Sequence, residues 1–235
     1  MTVIKATNLT KYYNDDFNSI RALINCNLEI DQGEFVVVTG SSGSGKSTLL
    51  HLLGGFDLPS SGKVYLNQKD MASLGEDERA FVCRQEIGYI FQNYHLFPDL
   101  SVYTNIILPS LLDHRDYDRD YFNEVVQALK LSKFIKKSPK HLSSAQQQCV
   151  AIARALVNQP RILLADEPTE CLDDNIISVV LDLLMNSIQK YSQTLVMATH
   201  NPNMLLFADR LIRLKFGEIT EDRVLHEKRI ARVDN

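Results

Sequence analysis

Three features are scarce in this sequence of 235 residues: paired cysteines, long apolar runs and positive net charge. The cysteines form no C-x-x-C pair, which argues against a zinc site or a disulfide framework and suits a reducing cytosol. No stretch reaches the ~18 apolar residues of a membrane span, and the first residues lack the apolar core of a signal peptide. The net charge of −4 gives no bulk attraction to nucleic acid or an anionic bilayer. The sequence therefore predicts a globular chain without a nucleic-acid partner.

The most specific motif follows the pattern G-x-x-x-x-G-K-[ST]. A β-branched run, Phe35–Thr39, precedes it and predicts a buried strand, and residues 47–53 after it predict a helix. A strand, a glycine-rich turn and a helix aim backbone N–H groups and the helix dipole at one anion. The motif predicts an ATP site in which Lys46 reaches the β- and γ-phosphates and Ser47 ligates Mg²⁺. The predicted phosphate-binding residues are Gly40, Ser41, Ser42, Gly43, Ser44, Gly45, Lys46, Ser47 and Thr48.

A second motif is an apolar strand, Ile162–Ala165, that ends in the carboxylates Asp166 and Glu167. The carboxyl ends of the strands are where open α/β sheets bind their ligands. Asp166 is predicted to hold Mg²⁺ there. Glu167 points elsewhere by strand alternation, which leaves it available to accept a proton from an attacking water.

The order of periodic segments predicts an α/β fold, a P-loop NTPase (RecA-like) core with an N-terminal antiparallel β subdomain and an inserted α-helical subdomain. The core and β subdomain are expected at 1–98 and 159–220, the helical insertion at 99–158 and a polar C-terminal tail at 221–235. A long helix is predicted around residues 176–184. Further strands are predicted at 3–9, 28–30, 63–66, 87–91 and 195–199.

The motifs and their order resemble the ATP-binding-cassette (ABC) ATPases, and this resemblance covers nearly the whole chain. It implies that Tyr13 stacks on adenine, with Tyr12 as the alternative if the alignment slips by one. It also implies that Gln92 contacts Mg²⁺ and the attacking water, and that His200 contacts the γ-phosphate. Loops at 54–62 and 88–98 are most similar to those of the lipoprotein-release, macrolide-exporter and cell-division group.

The resemblance further implies a dimer in which each subunit completes the site of the other. Ser143, in the signature segment 142–148, would contact the ATP of the opposite subunit in trans, and Asp173 would lie at the dimer contact. The second ATP-binding subunit can be a second copy or a different chain. A membrane permease would contact residues 94–109, which places the chain in the cytoplasm, peripheral on the inner face of the membrane.

The signature departs from the family pattern Leu-Ser-Gly-Gly-Gln. Ser144 and Ala145 replace both glycines, and Cys149 stands where the family usually has arginine. A Cβ at both positions is expected to weaken the trans phosphate contact, and loss of the arginine charge to remove a long-range attraction. In residues 170–173, which match the segment called the D-loop in this family, Glu170 and Cys171 occupy positions that the family often fills with small residues. The chain is expected to hydrolyse ATP well only when it pairs with a subunit that has an intact signature.

Two alternatives accompany this ATP-driven transport hypothesis. The first is an ATP-gated, non-transporting signalling or mechanotransmission module that hydrolyses weakly because of the altered signature. The second is an ABC ATPase of nucleic-acid maintenance, which is disfavoured because the long or zinc-bearing insertions of that class are missing between Ser47 and Ser143. The transported substrate is not readable, since specificity resides in the permease.

Overall fold

The computed structural model describes residues 1–15 and 18–226. Its strands are β1 (Thr2–Asp15), β2 (Asn18–Asp31), β3 (Phe35–Thr39), β4 (Ser61–Leu66), β5 (Lys69–Asp70), β6 (Ile87–Ile90), β7 (Ile162–Asp166), β8 (Thr194–Ala198), β9 (Arg210–Lys215) and β10 (Glu218–Val224). Its α-helices are α1 (Lys46–Leu53), α2 (Glu76–Glu86), α3 (Val102–Leu112), α4 (Arg119–Ala128), α5 (Ser144–Val157) and α6 (Asp174–Tyr191). The chain forms two compact units, one of Met1–Cys83 with Thr194–Asn235 and one of Arg84–Gln193.

The first unit contains the predicted antiparallel β subdomain, a sheet with the strand order β2-β1-β4-β5. β1 lies between two antiparallel neighbours, so Ile4 is opposite both Ile30 and Leu66. These three side chains are buried. Their burial explains the register, because a slip by one residue would turn the apolar set toward solvent.

The same unit contains the strands that lead to the predicted phosphate site, in the order β10-β9-β3-β8. β3 pairs in parallel with both β8 and β9, and β9 pairs with β10 in an antiparallel hairpin. Val36, Val37 and Val38 are fully buried, as expected of a parallel strand that is covered on both faces. The start of β3 is held by the Asp209 carboxylate, which accepts a hydrogen bond from the Phe35 N–H at 2.8 Å.

The second unit pairs β6 with β7 in parallel and contains α3 to α6. The apolar face of α4 is buried through Tyr121, Phe122, Val125 and Val126, and Asp118 caps this helix at its N terminus. In the described part of the chain, no helix combines the length and apolar character that crossing a membrane requires.

The two compact units are divided along the chain at other residues than the predicted subdomains are. The compact units divide at 83/84 and 193/194, so the paired strands β6 and β7 both fall in the second unit. The division into core and helical insertion at 98/99 and 158/159 stays a prediction. The polar tail does not begin at 221, since β10 continues to Val224 against β9. The rest of that predicted tail, 227–235, lies outside the described residues. The prediction also missed α2, a mainly polar helix.

Gly88 in β6 gives a test of packing in the second unit. An added Cβ would lie 2.5 Å from the carbonyl oxygen of Ala155 and 2.8 Å from Pro160 Cγ. Gly88→Ala is expected to destabilise the protein by about 1–3 kcal/mol through overpacking, which lowers the midpoint of thermal unfolding by roughly 2–4 °C per kcal/mol. Gly75→Ala is the matched control, because its Cβ would meet no atom within 4 Å. Equal midpoints for the two variants would contradict this packing.

Candidate functional site

The predicted phosphate loop in the first unit is held in a shape that requires glycine. Gly45 has a φ of 104°, in the left-handed region, and a Cβ there would lie 2.4 Å from the carbonyl oxygen of Ala22. The loop is also anchored by the Gly217 N–H, which donates to the carbonyl oxygen of Ser44 at 3.0 Å. β2 and the β9–β10 turn therefore fix the backbone just before α1.

The loop has the features of an anion site. α1 begins at Lys46 behind Gly45, which provides no side-chain cap. The first N–H groups of a helix have no partner within the helix, and together with its dipole they favour a bound anion. Lys46 Nζ donates to the carbonyl oxygens of Gly40 at 2.9 Å and Ser41 at 3.3 Å, so its charge is held over the loop. The buried Ser44 Oγ has no hydrogen-bond partner among the described residues. This set of donors fits the phosphates of a nucleotide.

The predicted adenine-stacking residue, Tyr13, lies beside α1. Its hydroxyl donates to Asp57 Oδ2 at 2.9 Å, and Asp57 also binds the Lys11 ammonium at 2.6 Å. Partial burial and the bond to Asp57 raise the pKa of Tyr13, whereas a hydrogen bond with the Thr48 side chain lowers it. Tyr12 lies near the Arg21 guanidinium instead. Of the two tyrosines, Tyr13 is therefore the one whose hydroxyl reaches a side chain in the first turn of α1.

His200, the predicted γ-phosphate contact, lies next to the end of β3 because of the strand register. Val38 of β3 is opposite Ala198 of β8, so Gly40 and His200 each come two residues after the same rung. The Thr199 N–H donates to the carbonyl oxygen of Val38 at 3.1 Å, which extends the ladder by one residue. The His200 side chain is exposed. Within the first unit, the P-loop and His200 thus lie at the carboxyl ends of adjacent strands.

In the second unit, strand register brings the predicted Mg²⁺ and base residues to one edge. Ile90 of β6 is opposite Ala165 of β7, so Gln92 and Glu167 each follow that rung by two residues. Asp166 ends β7 and is only 4% exposed. Burial and the charge of Asp166 raise the pKa of the Tyr89 hydroxyl. Carboxylate and amide oxygens are ligands that suit Mg²⁺.

No cluster of three or more His, Cys, Asp and Glu side chains that could hold a metal occurs in the described residues. Among the predicted Mg²⁺ ligands, Ser47 of the first unit offers a hydroxyl, and Gln92 and Asp166 of the second unit offer an amide and a carboxylate. Mg²⁺ in nucleotide sites typically takes one or two protein carboxylates and completes its shell with water and substrate phosphates. Each of these side chains, taken by itself, offers an oxygen of the type that suits this ion.

Glu167 adopts a conformation that is uncommon for its residue type, with a φ of 45°. The turn after it is held by Gln148 of α5, whose buried Nε2 donates to the carbonyl oxygen of Pro168 at 3.0 Å. The Glu170 N–H donates back to the carbonyl oxygen of Glu167 at 3.3 Å. Such left-handed residues are often found at functional sites, where the surrounding structure maintains them.

The loop after β6 carries contacts that the motifs did not predict. Gln92 Nε2 donates to Glu170 Oε2 at 2.9 Å, between residues that are 78 positions apart. The Arg154 guanidinium donates to the carbonyl oxygens of Tyr94 at 2.6 Å and His95 at 2.7 Å. Burial lowers the pKa of Arg154 to about 10. An arginine within the mainly apolar run of α5 was the available sequence signal for this clamp.

The altered signature retains an ordered helix start. Ser143 caps α5 through a capping box, in which its Oγ accepts from the Gln146 N–H and the Gln146 side chain accepts from the Ser143 N–H. Ser143 and Ser144 are exposed. At the start of α6, the Asp173 carboxylate accepts a hydrogen bond from the Ile176 N–H at 3.1 Å. Both predicted trans-contact residues are therefore N-caps.

Cys149, which stands where the family usually has an arginine, has a buried side chain rather than an exposed one. It is 4% exposed in α5. Burial raises the pKa of its thiol to about 11, and the charge of Asp173 acts in the same direction. Cys149 of this chain therefore fills a packed position, and the interpretation that an arginine charge is missing from a long-range attraction stays a prediction.

A parallel strand, a glycine loop that wraps a lysine and an uncapped helix define a P-loop nucleotide-binding fold. The sequence matches the ABC transporter family over residues 23–170. The chain belongs to this family, as an ATP-binding subunit that hydrolyses ATP.

Relatives of known sequence or structure cover almost the whole chain. The uncharacterized ABC transporter ATP-binding protein MJ1508 of Methanocaldococcus jannaschii is 41% identical over 221 residues, covering 93% of this chain and 98% of that protein. The lipoprotein-releasing system ATP-binding protein LolD of Buchnera aphidicola subsp. Schizaphis graminum is 36% identical, covering 94% of this chain and 97% of LolD. The dimeric post-hydrolysis state of the ATP-binding cassette MJ0796, bound to ADP and Pi, superimposes with a TM-score of 0.89 at 38% identity and covers 95% and 99% of the two chains.

Lys46→Ala tests the phosphate cradle. The variant is expected to bind ATP at least tenfold more weakly and to lose turnover, because the phosphates lose a charge-assisted donor. Equilibrium binding of a fluorescent ATP analogue measures this. Lys136→Ala, which removes an exposed lysine, is the control and should bind as the wild type does. Unchanged affinity in the Lys46 variant would contradict the assignment of the loop.

Proposed function

We propose that the chain binds Mg·ATP through its P-loop and hydrolyses it by general-base catalysis, as one half of a dimer that drives a membrane permease. The observation that carries this proposal is the loop at Gly45, where backbone contacts hold Lys46 and an uncapped helix start in position for phosphate. Lys46 and the amides of 40–48 neutralise phosphate charge and Tyr13 stacks on the base. His200, at the adjacent strand end, contacts the γ-phosphate.

The second unit supplies the groups for hydrolysis in this proposal. Bound Mg²⁺ would neutralise the phosphate oxygens, and Ser47, Asp166 and Gln92 are the residues that hold it. Glu167 accepts the proton of the attacking water, since its carboxylate follows β7 on a turn that Gln148 holds. Fixed positions of this kind lower the reorganisation that the transition state requires.

The partners are inferred from the relatives and from the signature. MJ0796 forms a dimer, and LolD is named as part of a lipoprotein-releasing system. We extend both properties to this chain: a second ATP-binding subunit receives Ser143 in trans, and a permease docks near residues 94–109, at the inner face of the membrane. In that segment Phe97 is 52% exposed, whereas Tyr94, Leu96 and Leu100 are half-buried. No observation favours the non-transporting alternative over transport.

Glu167→Gln tests the general base. The change keeps the shape of the side chain but removes the proton acceptor, so turnover is expected to fall about 10²–10⁴-fold while ATP binding stays within a few-fold. Phosphate release and nucleotide binding measure the two quantities. Glu124→Gln, on the exposed side of α4, is the control and should retain wild-type turnover. A fully active Glu167 variant would exclude this residue as the base.

Restoring the signature tests the trans contact. Ser144→Gly with Ala145→Gly is expected to raise the ATPase rate of the purified chain about tenfold if it pairs with itself, since one recovered hydrogen bond to a charged group contributes ~1.5–3 kcal/mol. Cys149→Arg alone is expected to lower stability without raising the rate, because it places a charge at a buried position.

The assembly state is measured in parallel, by size exclusion with ATP. A faster double variant supports a homodimer limited by its signature. No gain in a chain that dimerises shows that the Ser144 and Ala145 backbone already makes the contact. No gain in a chain that stays monomeric, with activity restored by a second ATP-binding subunit, supports a heterodimer.

A further inference from the structure

The side-chain amide of Gln92 is hydrogen-bonded to a carboxylate, a group that only accepts hydrogen bonds when ionised. Its Nε2 donates to Glu170 Oε2 at 2.9 Å, and both side chains lie on the exposed side of the second unit. A carboxylate accepts hydrogen bonds and donates none when ionised, so only the NH₂ end of the amide can face Glu170. The bond therefore turns Oε1 of Gln92 away from Glu170 and leaves it available as a ligand.

This contact lies within a larger junction between the loop after β6 and the turn after β7. Two residues beyond Gln92, the Tyr94 hydroxyl donates to Cys171 Sγ at 3.4 Å, which parallels the Gln92–Glu170 pair. On its other side the loop is held by the Arg154 guanidinium, through the carbonyl oxygens of Tyr94 and His95. Tyr94 and His95 both have positive φ values, of 58° and 46°. The backbone that carries Gln92 is thus fixed by interactions other than its own side chain.

A further interaction is needed to select between the two orientations of the amide. An amide presents either its oxygen or its NH₂ group in a given direction, and the two ends are nearly equal in shape. A cation accepts only the oxygen as a ligand. Anchoring of the backbone fixes the position of the Cα atom of Gln92. The directions of the amide oxygen and the NH₂ group are fixed only by a hydrogen-bond partner that is either a pure acceptor or a pure donor. Glu170 is the side chain in contact that supplies this polarity.

We propose that Glu170 is a positioning residue for Gln92, which holds the amide so that its Oε1 faces the Mg²⁺ of the bound nucleotide. The inference rests on the proposed function, in which Gln92 is a ligand of that ion. Glu170 itself does not bind the ion. It makes the correct orientation of Gln92 the resting one, so that no reorientation is required when Mg·ATP binds.

The test measures Mg²⁺ dependence rather than turnover. A non-hydrolysable ATP analogue is bound to the purified full-length chain, and Mg²⁺ is titrated to find the concentration that gives half of its effect on binding. Glu170→Gln has the same shape but offers both a donor and an acceptor, so the orientation of Gln92 is no longer selected. We expect the half-saturating Mg²⁺ concentration to rise about three- to tenfold, as the loss of one hydrogen bond implies. Binding in EDTA should not change.

Two controls separate orientation from charge and from folding. Asp174→Asn removes one negative charge from an exposed position in the first turn of α6 and should leave the Mg²⁺ dependence unchanged. In a Gln92→Ala background, Glu170→Gln should have no further effect, because its action passes through the amide. Circular dichroism and the thermal midpoint confirm that the variants are folded.

Several outcomes would overturn the inference. One is a half-saturating Mg²⁺ concentration that is unchanged or lower in Glu170→Gln. Another is a rise of the same size when Glu170→Gln is made in the Gln92→Ala background. The third is a rise of the same size in Asp174→Asn. A lower concentration would mean that Glu170 holds Gln92 away from the ion. A wild-type chain that fails to bind the analogue in EDTA and in Mg²⁺ would contradict the proposed function itself, which distinguishes the two failures.

Discussion

The absence of a side chain at Gly45 is the constraint on which the phosphate loop depends. The backbone there lies against the carbonyl oxygen of Ala22 in β2, with no room for a Cβ. The β9–β10 turn also connects β2 with the phosphate loop. Its Gly217 carbonyl oxygen accepts from the Ile24 N–H at 2.8 Å, and its N–H donates to the Ser44 carbonyl oxygen at 3.0 Å. The first turn of α1 can therefore begin without a cap and remain in place, which a free glycine-rich segment could not do.

In the second unit, the backbone is fixed by a buried glutamine and a half-buried arginine, which donate hydrogen bonds to carbonyl oxygens. Gln148 holds Pro168 after the strained Glu167, and Arg154 holds the loop that follows Gln92. Both side chains extend from α5, the helix that Ser143 caps. One helix thus determines the positions of the proposed base and of the proposed Mg²⁺ amide. A buried donor that lost its carbonyl partner would cost about 1–3 kcal/mol, so these arrangements are strongly specified.

Four of the five departures from the family pattern fall into two physical groups. Cys149 fills a packed position and exposes no reactive group. Ser144, Glu170 and Cys171 instead meet the loop after β6: the bond to Cys171 and burial raise the pKa of the Tyr94 hydroxyl, and a hydrogen bond with Ser144 lowers it. Three residues that differ from the pattern therefore share one neighbourhood. Their effects on hydrolysis are expected to be coupled rather than additive.

The sequence by itself determined the phosphate loop, the strand β3 at Phe35–Thr39, the carboxylate pair at Asp166 and the family, because each depends on residues adjacent in the chain. The roles of individual site residues remain predictions from those motifs. Only the tertiary structure decided that Cys149 is buried, where the two units divide and that Gln92 meets Glu170. Residues 78 positions apart come into contact through strand register and helix packing. Local patterns do not encode such contacts, since any exposed glutamate has the same sequence signal whether or not an amide faces it.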